Sequence, residues 1–304
     1  MKTLKQLLQV RVPYWGMMFA FMARLFDIPS HAAEPTATSA AAPLPWPKPG
    51  KVIRLWPGDA PGLVAPAKAE EIVNERIRNI SVPELWVFLP EREGHKRAAL
   101  LICPGGGYGH LAMGLHVGNV VKLFNDQDVV VFGLKYRTKY GANSVADDAI
   151  ADCARAVRLI RQQADSLGVD PSRVGVQGYS AGGNIGLNLL GRFDAGDANS
   201  EDPVQRFSSR PDFMALMCPW PDGKPIANYP VNPNPPPVFI ASAEDDKTAP
   251  TTFALEIAAA VKNAGGEVRM FVVPTGGHGA FHYGEGNGPG TKWPEAFKPM
   301  LKRR

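Results

Sequence analysis

Cysteine is the scarcest residue of this 304-residue chain, which contains three of them. So small and odd a number excludes a disulfide-built scaffold and a zinc site of four cysteines. Each of the three lies in an apolar segment, and we interpret them as buried free thiols. They are Cys103, Cys153 and Cys218.

The chain also lacks a strong excess of charge and a long apolar run. Lysine and arginine number 33 against 29 acidic residues, and the only compact basic run is the terminal Lys302-Arg303-Arg304. This balance disfavours a dedicated nucleic-acid binder. The apolar run from Val12 to Ala23 ends at Arg24, too short to cross a bilayer as a helix. A hydrophobic content of 45% is enough for a folded core.

The N-terminal region is typical of a targeting segment followed by a linker. Residues 1–32 combine a basic start, an apolar stretch and the small-residue pattern Ser30-His31-Ala32, which predicts a cleaved signal peptide. An amphipathic helix that stays attached is the alternative. Residues 33–50 are rich in alanine and proline and are predicted to form a linker. The prediction is therefore a secreted or periplasmic protein, without a membrane span in its mature form, whose single domain covers residues 51–304.

From residue 51 onwards, short apolar runs alternate with helical patterns. Several of the runs are continuously apolar, as expected for strands that are covered on both faces. Alternation of this kind predicts an α/β fold with an open, mostly parallel sheet and helices on both faces. The predicted strands are 85–89, 98–103, 129–134, 174–177, 213–218, 238–241 and 268–273, and the predicted helices are 145–167, 184–190 and 253–261.

A G-x-S-x-G pattern follows the predicted strand 174–177 and precedes a predicted helix. The pentapeptide is Gly178-Tyr179-Ser180-Ala181-Gly182. In a strand–turn–helix context this pattern forms a sharp turn that exposes the serine as a nucleophile. The same five residues in an ordinary glycine- and serine-rich loop would carry no chemistry, so it is the context that favours Ser180 as a catalytic residue.

A serine nucleophile needs a base and a carboxylate that orients the base. Acidic candidates follow the predicted strand 238–241, namely Glu244, Asp245 and Asp246. Histidine candidates follow the strand 268–273, where His278 lies in a glycine-rich loop and His282 is its near rival. Serine, acid and histidine thus occur in the chain order in which enzymes with a nucleophile turn of this kind carry them.

Three consecutive glycines follow the predicted strand 98–103, in Pro104-Gly105-Gly106-Gly107-Tyr108-Gly109. Without side chains, their main-chain N–H groups can approach a ligand oxygen. A phosphate-binding loop is disfavoured because no Gly-Lys-Ser/Thr follows, and a dinucleotide site because the next strand ends in Lys135 instead of an acid. The sequence contains no H-E-x-x-H pattern, so it predicts no metal site of that type.

Together these segments resemble the α/β-hydrolase superfamily, and more narrowly the bacterial esterases close to acetyl xylan and feruloyl esterases. The resemblance rests on five segments. Two are the glycine loop, in Ile102-Cys103-Pro104-Gly105-Gly106-Gly107-Tyr108, and the serine turn, Gly178-Tyr179-Ser180-Ala181-Gly182-Gly183. The others are Leu134-Lys135-Tyr136-Arg137, Ala243-Glu244-Asp245-Asp246 and Pro274-Thr275-Gly276-Gly277-His278-Gly279. It implies the α/β-hydrolase fold, a catalytic triad of Ser180, Asp246 and His278, and no metal or organic cofactor. Asp246 is preferred to Asp245 because it stands four residues before Pro250, the family's spacing. The oxyanion would be held by the N–H groups of Gly106, Gly107 and Ala181.

The resemblance further implies an ester substrate, and we predict removal of acetyl or other short acyl groups from a carbohydrate such as xylan. The proline-rich segment 219–237 disfavours a helical lid of the lipase type. Tyr108, Trp220 and Tyr229 are candidate substrate contacts, with ordinary packing as the alternative. A serine peptidase of the prolyl-oligopeptidase type and a non-catalytic binding protein of this fold are the rival functions. The oligomeric state stays open.

Overall fold

The computed structural model describes residues 46–63, 68–92, 96–139, 145–284 and 288–302. The predicted signal peptide at 1–32 and most of the predicted linker at 33–50 lie outside these residues, so both stay predictions. Among the described residues, no helix has the length and apolar character that a membrane crossing requires.

A central sheet of eight strands organises the described part of the chain. The strands are β1 Lys51–Arg54, β4 Glu84–Phe88, β5 Arg97–Cys103, β7 Val130–Lys135, β8 Val169–Tyr179, β9 Phe213–Met217, β10 Val238–Ala243 and β11 Val268–Val273. Their spatial order is β1-β4-β7-β5-β8-β9-β10-β11. The six strands β7, β5, β8, β9, β10 and β11 run parallel to one another, whereas β1 pairs antiparallel with β4 and β4 antiparallel with β7. This confirms the predicted open, mostly parallel α/β sheet.

Four of the inner strands are buried along their whole length because their residues are largely apolar on both faces. Every residue of β5, β7, β9 and β10 is buried, which agrees with the continuous apolar runs in the sequence. The edge strand β11 is only partly covered. All seven predicted strands are present, with bounds that differ by a few residues.

Helices pack against this sheet. The predicted helix at 145–167 ends earlier, at Gln162, and the other two predicted helices are α3 and α4. Two further helices were not predicted: α1, which continues a π-helical segment Gly114–Gly118, and α5, which contains Pro294 and Pro299. The α-helices are α1 Asn119–Asn125, α2 Val145–Gln162, α3 Ala181–Leu189, α4 Thr251–Asn263 and α5 Trp293–Leu301.

Three very short strands form a second, antiparallel sheet near the glycine loop. They are β2 Glu71–Val73, β3 Arg76–Arg78 and β6 His110–Leu111. Strands of two or three residues are too short to show alternation, and the sequence therefore did not predict them.

The folded part begins before Lys51, where the predicted linker was expected to end. Trp46 has only 6% of its surface exposed and belongs to the main hydrophobic core. Its side chain lies directly on the backbone of Gly114 and Gly118, where any Cβ atom would collide with it. A large aromatic side chain buries enough apolar surface to hold an otherwise extended arm against the core.

Four loops follow the carboxyl ends of parallel strands and therefore meet at one edge of the sheet. The glycine loop (104–109) follows β5, and the serine turn around Ser180 follows β8. The acidic loop (244–250) follows β10, and the histidine loop (274–284) follows β11. Residues far apart in the sequence are brought together there.

Candidate active site

Ser180 occupies a sharp turn between β8 and α3. Its backbone has φ 51° and ψ −113°, a conformation that non-glycine residues rarely adopt. The turn is possible because glycines flank it: a Cβ on Gly178 would lie 2.1 Å from the carbonyl oxygen of Gly182. A Cβ on Gly182 would lie 2.0 Å from the carbonyl oxygen of Cys103, so the helix can start close to the end of β5. The predicted strand–turn–helix context of Ser180 is therefore present.

His278 lies between Ser180 and Asp246 in a chain of hydrogen bonds. Its Nε2 is 2.8 Å from Ser180 Oγ, and its Nδ1 is 2.8 Å from Asp246 Oδ2. Asp246 is buried, and its other oxygen accepts from the backbone N–H groups of Thr248 at 2.8 Å and Ala249 at 3.0 Å. These two bonds fix the orientation of the carboxylate. The structure thus brings together the three residues that the sequence analysis selected.

The rival residues point elsewhere. Asp245 is exposed and accepts hydrogen bonds from the backbone N–H groups of Gly276 at 3.1 Å and Gly277 at 2.7 Å. The bond from Gly277 and then that from Gly276 hold the pKa of Asp245 below its usual value. Glu244 is exposed. His282, the rival to His278, instead has its Nε2 3.3 Å from Nε2 of His116.

The glycine loop lies beside the serine turn. A Cβ on Gly105 would be 3.0 Å from the carbonyl oxygen of Tyr179 and 3.1 Å from Ser180 Cβ. Gly106 and Gly107 have positive φ angles of 139° and 58°. Within the described residues, neither of their N–H groups donates a hydrogen bond to the protein. Unused donors beside a nucleophile are what a developing oxyanion requires.

The segment that follows β7 holds the base of the glycine loop through one hydrogen bond and carries a buried ion pair beside it. Tyr136, at the end of β7, donates a hydrogen bond of 2.7 Å to the carbonyl oxygen of Pro104. Next to it, the fully buried Arg137 pairs with the fully buried Asp152 of α2 at 2.9 Å. The Leu134-Lys135-Tyr136-Arg137 segment that contributed to the resemblance therefore anchors the base of the glycine loop.

Of the three residues predicted to contact substrate, Tyr108 and Tyr229 are buried and only Trp220 is partly exposed. Tyr108 and Tyr229 are each only 3% exposed, so they pack the rim of the site and are not open to a sugar ring. Their hydroxyl groups are engaged: Tyr108 donates to Asn184 Oδ1 at 2.8 Å, and Tyr229 donates to the carbonyl oxygen of Pro221 at 2.6 Å. Trp220 stays partly exposed beside Tyr108, with ring centroids 6.2 Å apart.

Asn184 organises this rim, although no sequence motif marks it as a site residue. Its amide nitrogen donates to the carbonyl oxygen of Trp220 at 2.8 Å and to Tyr229 Oη at 3.0 Å, while its oxygen accepts from Tyr108. An asparagine four residues after the serine lies one helical turn along α3, but nothing in the sequence shows its partners.

All three cysteines are free and buried, as predicted. Burial, followed by the nearby charge of Asp246, raises the pKa of Cys218 to about 12, so its thiol is neutral. In the described residues, Cys218, Asp246 and His278 are the one group whose ligand-type atoms lie near enough for a metal ion, within 4.8 Å of one another. A neutral thiol and a carboxylate already bonded to the histidine are poor metal ligands, and we assign no metal here.

Comparison with known sequences supports the same fold. A family model described as an alpha/beta hydrolase fold matches residues 100–234. The acetylxylan esterase of Xylanibacter ruminicola is 27% identical over 225 residues, which are 64% of this chain and 43% of that protein. The endo-1,4-beta-xylanase B of Butyrivibrio fibrisolvens is 26% identical over 224 residues, which are 65% of this chain and 34% of that protein. The chain thus spans less than half the length of these curated relatives.

Solved structures agree with the sequence comparison. The acetyl ester-xyloside bifunctional hydrolase of Caldicellulosiruptor lactoaceticus has 26% identity and a TM-score of 0.63, covering 84% of this chain and 93% of that chain. Thermogutta terrifontis esterase 2 with bound butyrate has 21% identity and a TM-score of 0.60, covering 83% of this chain and 100% of that chain. The predicted resemblance is confirmed: the chain has the α/β-hydrolase fold and is similar to esterases that share it.

Proposed function

We propose that this protein is a serine carboxylic ester hydrolase that removes short acyl groups, acetyl above all, from a carbohydrate. One observation carries the proposal. The side chains of Ser180, His278 and Asp246 are joined in sequence by two hydrogen bonds of 2.8 Å each. Nucleophile, base and orienting carboxylate in this order are the arrangement that acyl transfer uses on several unrelated folds.

Each hydrogen bond corresponds to one step of the reaction. The Ser180 hydroxyl donates to His278 Nε2, which takes the proton as Ser180 Oγ attacks the ester carbonyl carbon. His278 Nδ1–H donates to Asp246, whose negative charge stabilises the imidazolium that forms. His278 then gives its proton to the leaving alcohol, and the acyl group remains on Ser180. Water, activated by the same histidine, attacks the acyl-enzyme, and the departing serine oxygen regains a proton.

The negative charge that develops on the carbonyl oxygen needs donors, and we assign them to Gly106, Gly107 and Ala181. Within the described residues the first two N–H groups have no partner, and they lie in a loop that runs beside Ser180. Ala181 is the first residue of α3, where a backbone N–H has no partner within the helix. The helix dipole favours an anion at the same place.

Two observations support a short acyl group on a bulky alcohol. The segment 219–237, between β9 and β10, contains one short 3₁₀ turn, Ile226–Asn228, and no α-helix that could serve as a lid. The partly exposed Trp220 offers one aromatic face at the rim. Two of the similar proteins are named for acetyl ester or acetylxylan hydrolysis, which favours an acetylated xylan or xylooligosaccharide as substrate.

The test is an activity screen with the wild-type protein and Ser180→Ala side by side. The substrates are p-nitrophenyl acetate, acetylated xylooligosaccharides, methyl ferulate and an aminoacyl p-nitroanilide. We expect acetate release from the first two, and a loss on the order of 10⁶ in kcat for Ser180→Ala, as for catalytic serines in general. Faster cleavage of the anilide would indicate a peptidase, and no turnover of any ester would indicate a binding protein.

A further inference from the structure

His116 is a buried histidine beside the site that the steps above do not use. It lies in the π-helical segment Gly114–Gly118 and is 6% exposed. Its ring stacks on that of Tyr179, the residue before Ser180, with centroids 4.4 Å apart and planes inclined by 2°. Insertions of this helical type occur frequently at functional sites.

The two ring nitrogens of His116 contact two different loops of the site. Nδ1 accepts a hydrogen bond of 2.9 Å from the backbone N–H of Gly105, the first glycine of the glycine loop. Nε2 lies 3.3 Å from Nε2 of His282, four residues beyond His278 in the histidine loop. His116 therefore connects the glycine loop to the loop that carries the proposed base.

These contacts determine where the hydrogen atoms lie. Because Nδ1 of His116 accepts from Gly105, its hydrogen must be on Nε2, which donates to His282. Burial, reinforced by the nearby His282, His278, His110 and Arg76, lowers the pKa of His116 well below its usual value. The ring is therefore neutral, and the acceptor for Gly105 is preserved.

The glycine loop needs such an anchor. Gly106, Gly107 and Tyr108 have φ angles of 139°, 58° and 59°, so the loop has an unusual path that local preference does not fix. In the part of the chain that the structure describes, His116 makes the one side-chain hydrogen bond to the backbone of residues 105–107. Main-chain bonds hold the carbonyl side of the loop, from Ala112 N–H to Gly105 O at 3.0 Å and from Gly109 N–H to Gly106 O at 3.0 Å, while His116 holds its N–H side.

We propose that His116 is a positioning residue for ester hydrolysis: it aims the N–H groups of Gly106 and Gly107 at the substrate oxygen. The proposal rests on the proposed function of Ser180. Donors that are already oriented stabilise the transition state more than the bound substrate, so their loss lowers kcat more than it raises KM. His282 selects the tautomer of His116 that keeps Nδ1 free to accept.

Two substitutions separate the two contacts. In His116→Asn, the side-chain oxygen takes the place of Nδ1 and can accept from Gly105, but it cannot reach His282. In His116→Gln, the terminal amide takes the place of Nε2 and can reach His282, but it leaves Gly105 without an acceptor. Both variants lose the ring stack on Tyr179, so a purely structural role affects them alike.

The measurement is kcat and KM for p-nitrophenyl acetate, with folding checked by thermal unfolding and Ser180→Ala run in parallel. For His116→Gln we expect kcat to fall on the order of 10²-fold with KM nearly unchanged, the loss typical of one oxyanion donor. For His116→Asn we expect kcat within about tenfold of wild type, since the loop keeps its anchor. Equal losses in both variants, or a loss confined to KM, would overturn the role of His116.

The control distinguishes this proposal from the function on which it rests. If Ser180→Ala stays active, the proposed function fails and the role of His116 fails with it. If Ser180→Ala is inactive while the two His116 variants behave alike, only the positioning role is wrong.

If neither His116 variant folds, the variants His282→Leu and His282→Gln test the positioning role instead. The first removes the acceptor and lowers kcat, the second retains it and preserves kcat, and equal kcat values contradict the proposal.

Discussion

The adjacent carboxylates of Asp245 and Asp246 contact different parts of the histidine loop. Asp246 bonds to the His278 ring, whereas Asp245 bonds to the backbone N–H groups of Gly276 and Gly277. Successive side chains of a loop point in different directions, and only one of the two can orient the imidazole. The family spacing to Pro250 selected Asp246, and the hydrogen bond to His278 supports that choice.

Replacing each aspartate by asparagine tests this assignment. Asp246→Asn should lower kcat by about 10⁴-fold, because an amide stabilises the wrong histidine tautomer and no imidazolium. Asp245→Asn should cost less than about tenfold, since its contacts are exposed and an amide oxygen still accepts one of them. Steady-state hydrolysis of p-nitrophenyl acetate by both variants gives the answer. The opposite ranking would assign the orienting role to Asp245.

Among the elements, the segment 219–237 is the one that we propose limits the length of the acyl group. It carries no α-helix, and Asn184 ties it to α3 through the carbonyl oxygen of Trp220. A tied segment without a helix forms a rim, whereas a long acyl chain requires a deep apolar trough.

We therefore expect activity on p-nitrophenyl esters to fall steeply beyond butyrate. Each added methylene contributes about 0.8 kcal/mol of binding only while there is apolar surface to cover it. The measurement is kcat/KM for acetate, propionate, butyrate, hexanoate and octanoate esters under identical conditions. A maximum at octanoate or beyond would contradict the short acyl site.

The N-terminal arm is a second element with a testable part in the fold. Trp46 is buried on Gly114 and Gly118, the two ends of the segment that carries His116, and its indole Nε1 has no hydrogen-bond partner in the described residues. The ring therefore contributes by packing and not through its N–H group.

Trp46→Ala should destabilise the fold by about 3 kcal/mol, the low end for deleting a buried large aromatic. Trp46→Phe is the matched control: it keeps a packed ring, loses the unpartnered N–H, and should cost about 1 kcal/mol or less. Urea unfolding followed by circular dichroism gives both values from the shift in midpoint. An alanine variant as stable as wild type would show that the arm does not belong to the folded core.

At the scale of the whole molecule, the sequence predicts the parallel sheet well because buried strands are continuously apolar and punctuated by loops. Ser180 and His278 are predictable for a related reason: a nucleophile turn and a glycine-rich histidine loop have local signatures. The strands β1, β2, β3 and β6 are too short for such a signature. Pro299 obscures α5, and the glycines at both ends of 114–118 obscure its helical character.

What the sequence could not supply are contacts between distant segments. His116 and His282 are 166 residues apart, and nothing local marks either as part of a shared network. For Tyr108 and Tyr229, the sequence suggested a substrate contact that their burial in the structure does not support. Their residue type suggests substrate stacking, but whether a tyrosine lines or packs a rim depends on tertiary burial.

Ser180 is proposed to form a covalent acyl-enzyme, and labelling with a fluorophosphonate tests whether it is the activated nucleophile. The reagent reacts with a serine only when an adjacent base and an oxyanion site activate it. Intact-mass and peptide mass spectrometry should show one adduct per chain, on the peptide that contains Ser180, in wild type and in Asp245→Asn. Ser180→Ala should remain unlabelled. An unlabelled wild-type protein, or an adduct that persists in Ser180→Ala, would contradict the account.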